Sequence, residues 1–124
     1  MKLKDVLEKM NAPEEVFEFY SEQGRLSEKI EVVSDEDVEY LVSVFKCLAN
    51  PIRLKLLLLL RKPHCVCVLS YLTKLDITLV SHHLARLKEC GLVKVSSRAR
   101  MRIYEADVNK IKYFIEVFSK LFKC

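Results

Sequence analysis

Glycine is scarce in this sequence, which has only two glycines among 124 residues. The glycine-rich loops with which nucleotide-dependent enzymes bind phosphate groups are therefore absent. The sequence also lacks paired acids in an apolar setting and a Ser/His/Asp set with a scaffold to orient it. These absences predict a protein that is not an enzyme.

Long apolar runs are missing as well. The longest, residues 56–60, is far shorter than the roughly 20 residues that a membrane-spanning helix needs. Acidic residues lie close to the first lysines, so the N-terminus does not have the pattern of a secretory signal. We therefore expect a cytoplasmic protein that does not enter a membrane.

The cysteines do not form the even, regularly spaced set of a secreted disulfide framework. There are five of them, with one tight pair, at Cys47, Cys65, Cys67, Cys90 and Cys124. The sequence therefore predicts free thiols. Cys47 and Cys90 are expected to be small, buried apolar residues.

Charge is divided unevenly along the chain. Residues 1–40 contain five Lys and Arg against twelve Asp and Glu, a net charge of −7, while residues 41–124 contain sixteen against five, a net charge of +11. A strongly basic region suits a polyanionic partner. Nucleic acid is favoured over a membrane surface because no basic amphipathic helix with exposed aromatics stands out.

Helical spacing of apolar residues predicts an acidic, helical extension over residues 1–34. Its apolar stripe can pack on the rest of the chain, on a second copy or on a partner. A compact, mainly helical domain is predicted for residues 35–124, because hydrophobic residues make up 51% of the sequence and glycine and proline are few. The chain therefore has one main domain and one extension.

Two short helices joined by a tight turn are predicted in the middle of the chain. Asn50-Pro51 caps a helix over residues 52–60, which is apolar nearly all round and is expected to be buried. After Lys62-Pro63 a short segment, residues 65–72, places Val66, Leu69 and Leu72 on one face. A turn at residues 73–75 then leads into the next helix, the arrangement of a helix-turn-helix motif.

This next helix, residues 76–91, is the candidate recognition helix. Asp76 is a suitable N-cap, and Gly91 suits the left-handed turn that ends a helix. Its inner face is expected to hold Val80, His83, Leu84 and Leu87, and its outer face Thr78, Ser81, His82, Ala85 and Arg86. Short polar side chains at a helix start can approach base edges and phosphates in a major groove, although the helix alone fits an ordinary amphipathic surface helix equally well.

The pattern changes after Gly91. Residues 92–96 and 101–105 alternate apolar and polar side chains around a basic tip at 97–100, which predicts a β-hairpin that can lie along DNA phosphates as a wing. Its turn type is left open. The predicted DNA contacts from the turn, helix and wing are Lys74, Thr78, Ser81, His82, Arg86, Arg98, Arg100 and Arg102.

The last helix, which Asp107 caps, has a broad apolar stripe that is too large for the edge of a monomer. We expect a homodimer through the helices at 35–48 and 107–122. A two-fold axis there would place two recognition helices about one turn of DNA apart.

The order of these features resembles the ArsR/SmtB family of winged-helix repressors over residues 35–122. The resemblance rests on Phe-Lys-Cys-Leu-Ala-Asn-Pro-Ile-Arg-Leu at 45–54, Cys-Val-Cys-Val-Leu at 65–69, Val-Ser-His-His-Leu at 80–84 with Leu87, and Gly-Leu-Val at 91–93. It implies a dimeric winged helix-turn-helix, mainly α with a small β-hairpin, that binds a double-stranded DNA operator and leaves it when an effector binds. It also implies that Thr78, Ser81 and His82 touch DNA.

The same resemblance places Cys65 and Cys67 at the family's thiolate sensor site. The implied effector is arsenite, antimonite or a soft metal ion such as cadmium, lead or zinc. The sequence departs from the family in two places: Ser70 stands where arsenical sensors often have a third cysteine, and residues 107–124 contain no histidine for a zinc site on the last helix.

Two cysteines at i and i+2 point about 200° apart on a regular helix. Cys65 and Cys67 can therefore hold one ion only if the backbone near Pro63-His64 is extended or unwinds. Candidate third donors are Cys47, Cys124 and His64, and spacing favours none of them. A thiol redox switch, simple packing of the two cysteines, and a winged-helix protein-interaction module without effector sensing remain alternatives, and His83 is expected to be a packed, hydrogen-bonded residue.

Overall fold

The structure, a computed structural model, describes residues 1–123, which divide into two compact units at Ser34. The first unit contains helices α1 (Leu3–Lys9) and α2 (Glu14–Glu22). Leu3 and Leu7 are buried, and the amide of Leu3 donates to the carbonyl of Glu28 at 2.8 Å. The return of the chain past α1 is thus held by backbone hydrogen bonds.

The second unit begins at Asp35 and contains five helices and three strands. In chain order they are α3 (Asp35–Leu48), α4 (Pro51–Leu59), β1 (His64–Cys65), α5 (Val66–Thr73), α6 (Ile77–Glu89), β2 (Val93–Arg98), β3 (Met101–Ala106) and α7 (Val108–Lys120). The antiparallel sheet has the order β1-β3-β2. The predicted fold class, mainly α with a hairpin wing, is confirmed.

Strand β1 was not predicted. It pairs with β3 through His64 opposite Tyr104 and Cys65 opposite Ile103. Two residues are too few to show the alternation that identifies a strand in a sequence, so its formation depends on the neighbouring hairpin.

The start of α4 follows the predicted capping. The Asn50 side chain accepts from the amides of Ile52 and Arg53 at 2.9 and 3.1 Å, and Pro51 occupies the first turn. The Arg53 Nε donates to the carbonyl of Cys47 at 2.6 Å. A cation therefore binds the carboxyl end of α3, where the helix dipole favours positive charge.

The core of the second unit forms around the inner face of α6. Val80, Leu84 and Leu87 have no exposed surface, and they pack in one cluster with Leu56 of α4 and Leu69 of α5. Burial of each leucine contributes about 2 kcal/mol. The predicted inner face of α6 is confirmed in full, including His83.

The prediction that residues 52–60 are buried all round is wrong. Leu56, Leu57 and Leu60 are buried, but Leu58 is 54% exposed and Leu54 is exposed as well. In α5, Leu69 is buried but Leu72, predicted to share its face, is exposed. A continuous apolar run contains no periodicity from which the core-facing side of a helix can be identified.

Helix α3 buries only part of its apolar surface in the core. Leu41, Val44 and Cys47 are buried, whereas Val42 and Phe45 stay exposed. The Phe45 ring instead makes edge-to-face contacts with rings of α7. This helix thus has two apolar sides, one toward the core and one toward α7.

The expectation of free thiols is wrong for two cysteines, because Cys47 and Cys90 form a disulfide. Cys47 is buried, but Cys90 is exposed rather than buried. The two residues are 43 positions apart, and only the packing of α3 against the end of α6 brings them together. Cys124 lies outside the described residues.

His83 is the buried polar side chain of this core, with 8% of its surface exposed. Its burial confirms the prediction that His83 is a packed residue. The predicted hydrogen bond is not found at Nδ1, which has no partner among the described residues. Burial, with the neighbouring Arg53 and His82, holds the pKa of His83 below its usual value. The folded protein therefore favours a neutral imidazole.

We predict that His83 makes stability depend on pH. Because its pKa is lowered by folding, the unfolded chain binds more protons, so the free energy of unfolding falls as the pH drops below about 6.5. Urea unfolding at a series of pH values should show this fall for the wild type and a smaller fall for His83→Gln. The matched control is His82→Gln, which removes an exposed imidazole and should retain most of the wild-type fall, because burial is the largest cause of the lowered His83 pKa. Equal slopes for the wild type and His83→Gln would contradict the prediction.

Candidate nucleic-acid interface

The turn between α5 and α6 is fixed by local hydrogen bonds. Lys74 has a left-handed φ of 58°, and the Ser70 hydroxyl donates to the carbonyl of Leu75 at 2.6 Å. Asp76 then caps α6 by accepting from the amide of Thr78 at 2.6 Å, as predicted. The first turn of α6 is therefore held in a single orientation relative to α5.

The outward side of α6 is polar. Thr78, His82 and Ala85 are exposed and Ser81 is half-buried, while the inner face is locked into the core. A helix fixed on one side by apolar packing can present its other side to a groove without losing its own structure. The short side chains on this side allow the helix backbone to approach a surface closely.

The wing is a hairpin with a two-residue turn at Ala99 and Arg100. Both residues have positive φ, 50° and 70°, and Arg98 pairs with Met101 across the turn. Positive φ at both central positions is the type I′ pattern, which matches the twist of the two strands. Residue type did not reveal this turn because neither position holds the usual Gly or Asn.

A cavity of about 320 Å³ lies between the start of α6 and the wing tip. It brings together three predicted DNA contacts, Ser81, Arg100 and Arg102. The other lining residues are Cys65, Val66, Cys67, Ile77 and Met101. The helix, the wing and the two sulfurs therefore share one space.

Arg102 is oriented by a residue that the sequence did not single out. Its Nη2 donates to the Tyr104 hydroxyl at 2.9 Å, and its guanidinium lies 5.5 Å from the centre of the same ring. Tyr104 is buried at 1% exposure. Side chains alternate between the two faces of a strand, so Arg102 and Tyr104 lie on the same face. This spacing was the signal in the sequence from which the pairing of the two residues could have been predicted.

The other five predicted contacts do not line this cavity. Thr78 and His82 are exposed on the outward side of α6. Arg86 forms an ion pair with Glu89 at 3.1 Å near the far end of α6. Arg98 lines a separate cavity with His64 and Cys65. Lys74 is exposed in the turn before α6.

Cys65 and Cys67 are close enough to act together, because their sulfurs are 2.8 Å apart. Cys65 has extended backbone angles, φ −80° and ψ 158°, and stands at the N-cap of α5. This is the extended geometry that two cysteines at i and i+2 require to approach each other. The chain reaches it because β1 pairs with the wing.

The two thiols are not equivalent. The hydrogen bond from the Cys67 thiol lowers the pKa of Cys65, and the same bond raises the pKa of Cys67. Cys65 is therefore the more acidic of the two thiols, and the thiolate is the form that attacks electrophiles and binds soft ions.

No third protein ligand joins these sulfurs within residues 1–123, where no group of three or more His, Cys, Asp and Glu side chains could hold a metal ion. His64 lines the cavity on the other side of β1 with Cys65, but not the one that contains Cys67. Cys47 is committed to its disulfide, which removes it as the candidate third donor. Cys124, the remaining candidate, is outside the described residues.

Within residues 1–123, none of the helices combines the length and apolar character needed to cross a membrane. Exposed apolar side chains occur on several helices of the second unit, among them Leu58 of α4 and Tyr71 of α5, and α7 has no buried residue at all.

Known proteins share this architecture and this segment. The model of the family described as "Bacterial regulatory protein, arsR family" matches residues 50–95, which run from the cap of α4 into β2. An uncharacterized HTH-type transcriptional regulator of Methanocaldococcus jannaschii is 30% identical over 88 residues, which cover 69% of this chain and 99% of that protein.

Solved structures show the same similarity. HlyU from Vibrio cholerae matches with a TM-score of 0.61 and 29% identity, covering 72% of this chain and 98% of its own. A homodimeric winged helix-turn-helix DNA-binding domain from Mycobacterium bovis, a possible ArsR-family transcriptional regulator, matches with a TM-score of 0.56 and 26% identity. That match covers 75% of this chain and 93% of the Mycobacterium bovis domain.

Proposed function

The chain belongs to the arsR family of winged-helix transcriptional regulators, and we propose that it represses transcription as a homodimer on a DNA operator until a thiol-directed signal releases it. As a member of that family the protein is a regulator and not an enzyme. In this proposal residues 35–124 form the DNA-binding domain, and residues 1–34 form an acidic extension outside it.

One observation carries the proposal for DNA: the start of α6 and the wing tip border the same cavity, with Ser81, Arg100 and Arg102 in its lining. A recognition helix that enters the major groove brings its first turns to the bases, and a wing beside it meets the flanking phosphates. Thr78, Ser81 and His82 are proposed to contact bases, and Arg100 and Arg102 to contact phosphates.

We predict that Arg100→Gln weakens DNA binding at every sequence, because a phosphate contact carries no base information. The slope of log affinity against log salt should become shallower by about one unit. The matched control is Lys112→Gln, which removes the same charge from α7 and should retain the wild-type slope. Fluorescence anisotropy on a duplex enriched from a randomised pool measures both quantities.

His82→Ala is expected to act differently. Loss of a base contact should cost about 1–3 kcal/mol on the enriched duplex and should change the preferred bases in a second enrichment.

Absence of any DNA binding by the wild type at low salt would instead favour a winged-helix module that uses its acidic extension for protein contacts.

The dimer proposal rests on apolar surface that the second unit leaves uncovered. Aromatic rings of α3 and α7 form a continuous seam. The centre of the Phe45 ring lies 5.2 Å from the centre of the Phe114 ring and 5.3 Å from that of Phe118. Beside this seam Ile115 is 56% exposed, and Phe118 and Tyr113 are exposed too. A patch of this kind is typical of a protein interface, and the similar Mycobacterium bovis domain is homodimeric.

We predict that Ile115→Asp converts the dimer to a monomer, since an unpaired carboxylate at the centre of an apolar interface is not compensated. Sedimentation equilibrium should show the dissociation, and circular dichroism should show an unchanged fold because Ile115 is exposed in one chain. Ser119→Asp on the same helix adds the same charge at a polar position and should remain dimeric. A dimeric Ile115→Asp would place the interface elsewhere.

The effector proposal follows from the shared cavity. Arsenite can exchange two of its hydroxyl groups for the two sulfurs, with release of two water molecules, and keep the third hydroxyl or exchange it for a small thiol. The new group would lie beside Ser81 and the two wing arginines. It would therefore occupy space that a DNA backbone needs, in addition to any shift of α6.

We predict that arsenite or cadmium releases the wild type from its duplex and that Cys65→Ser abolishes the release. Ser119→Ala should respond like the wild type, because Ser119 is an exposed residue of α7 that does not line the cavity of the two sulfurs. An unaltered response in the Cys65→Ser/Cys67→Ser double variant would eliminate this site as the sensor.

The short separation of the two sulfurs, 2.8 Å, favours a second candidate, a redox switch in which an oxidant joins Cys65 and Cys67. The two candidates differ in one assay. Release from DNA by hydrogen peroxide but not by arsenite would support the redox switch, and the opposite pattern would support metalloid or metal sensing.

A further inference from the structure

The Cys47–Cys90 disulfide connects two elements with different functions. Cys47 is in the last turn of α3, the helix proposed for the dimer, and it is 6% exposed. Cys90 is the C-cap of α6, and its amide donates to the carbonyl of Arg86 at 3.2 Å. The bond therefore attaches the end of the recognition helix to α3.

A small cavity of about 110 Å³ gives access to this bond. Its lining contains both cysteines and Ser43 together with three cationic side chains, Lys46, Arg53 and Arg86. One of these cations, Arg86, is paired with Glu89, and the Arg53 Nε donates to the carbonyl of Cys47. The surroundings of the disulfide are therefore positively charged.

We propose that the Cys47–Cys90 disulfide is an exchangeable bond, opened at Cys90 by a small anionic thiol that this basic cavity admits. The thiolate attacks Sγ of Cys90, forming a mixed disulfide there and expelling the thiolate of Cys47. A second thiolate then attacks the sulfur of the attached small molecule, which leaves as its own disulfide and frees Cys90. In total, two small thiols become one small disulfide, and the protein disulfide becomes two thiols.

The direction of attack follows from exposure. Cys90 is exposed and Cys47 is buried, so an external thiolate can approach only one sulfur in line with the bond. Cations beside the leaving sulfur stabilise a thiolate. After the released Cys47 thiolate is protonated, its thiol can donate a hydrogen bond to the carbonyl oxygen of Arg86, which lies 3.8 Å from the sulfur.

Opening the bond frees the end of α6 from α3. The recognition helix thus has a thiol pair near each end, Cys65 and Cys67 near its start and Cys47 and Cys90 at its end. The intact bond holds the end of α6 in place for DNA, and reduction weakens binding. This effect on DNA rests on the proposed function, whereas the exchange reaction does not.

The exchange is tested on the full chain in a Cys65→Ser/Cys67→Ser background, so that Cys47, Cys90 and Cys124 are the remaining cysteines. Intact mass and peptide mapping follow the reaction of the folded, oxidised protein with glutathione, an anionic thiol, and with 2-mercaptoethanol, a neutral one. We expect a glutathione adduct at Cys90. An adduct at Cys47, or no reaction without denaturant, would overturn the proposal.

The role of the cavity is tested by Lys46→Gln, with Lys112→Gln as the control of equal charge. Lys46→Gln should slow the reaction with glutathione more than the reaction with 2-mercaptoethanol, because both reactions lose a cation near the leaving Cys47 sulfur but only glutathione loses a partner for its carboxylates. The control should change neither rate. Equal slowing with both thiols would mean that the cavity cations do not select the thiol, and this outcome would overturn their assigned role.

Anisotropy on the enriched duplex compares the oxidised and reduced forms of the same protein. Reduction should weaken binding about fivefold or more, the lower end of typical couplings between sites. Equal DNA affinities of the two forms would overturn the proposed coupling between the disulfide and DNA binding. The mass data would still decide whether the disulfide exchanges. Absence of DNA binding in both forms would overturn the proposed function itself, again without affecting the mass result.

Discussion

The packing of one helix face determines most of this structure. Val80, Leu84 and Leu87 of α6 are fully buried against α4 and α5, and each contributes about 2 kcal/mol of apolar burial. Because these side chains occupy the inner face completely, Thr78 and His82 are turned outward. The polar surface that we assign to DNA is thus a consequence of the apolar surface that the core requires.

The wing depends on the same core through Tyr104. This residue is buried, lies opposite His64 in the sheet and accepts a hydrogen bond from Arg102. One aromatic residue therefore links the core, the short strand that contains Cys65 and a basic residue of the wing. A change at the sulfurs and a change at the wing share a rigid element, which is what coupling between two sites requires.

Sulfur chemistry is placed at both ends of α6, but in different environments. Cys65 and Cys67 border a cavity that also contains two wing arginines, so a ligand there can compete with DNA for space. Cys47 and Cys90 lie at the opposite end and form a covalent link to α3. In our proposals, a ligand on Cys65 and Cys67 fills space that DNA needs, whereas reduction of the Cys47–Cys90 disulfide releases the end of α6 from α3. These two signals can act independently.

The sequence by itself determined the elements that local rules specify. Asp76 and Gly91 marked the ends of the recognition helix, periodicity identified its buried face, and Asn50-Pro51 marked the start of α4. Only the tertiary structure decided which side of the leucine-rich α4 is buried, that β1 forms, and that Cys47 meets Cys90. The physical reason is the range of the interactions: caps and periodicity act within a few residues, whereas these three features depend on contacts between segments far apart in the chain.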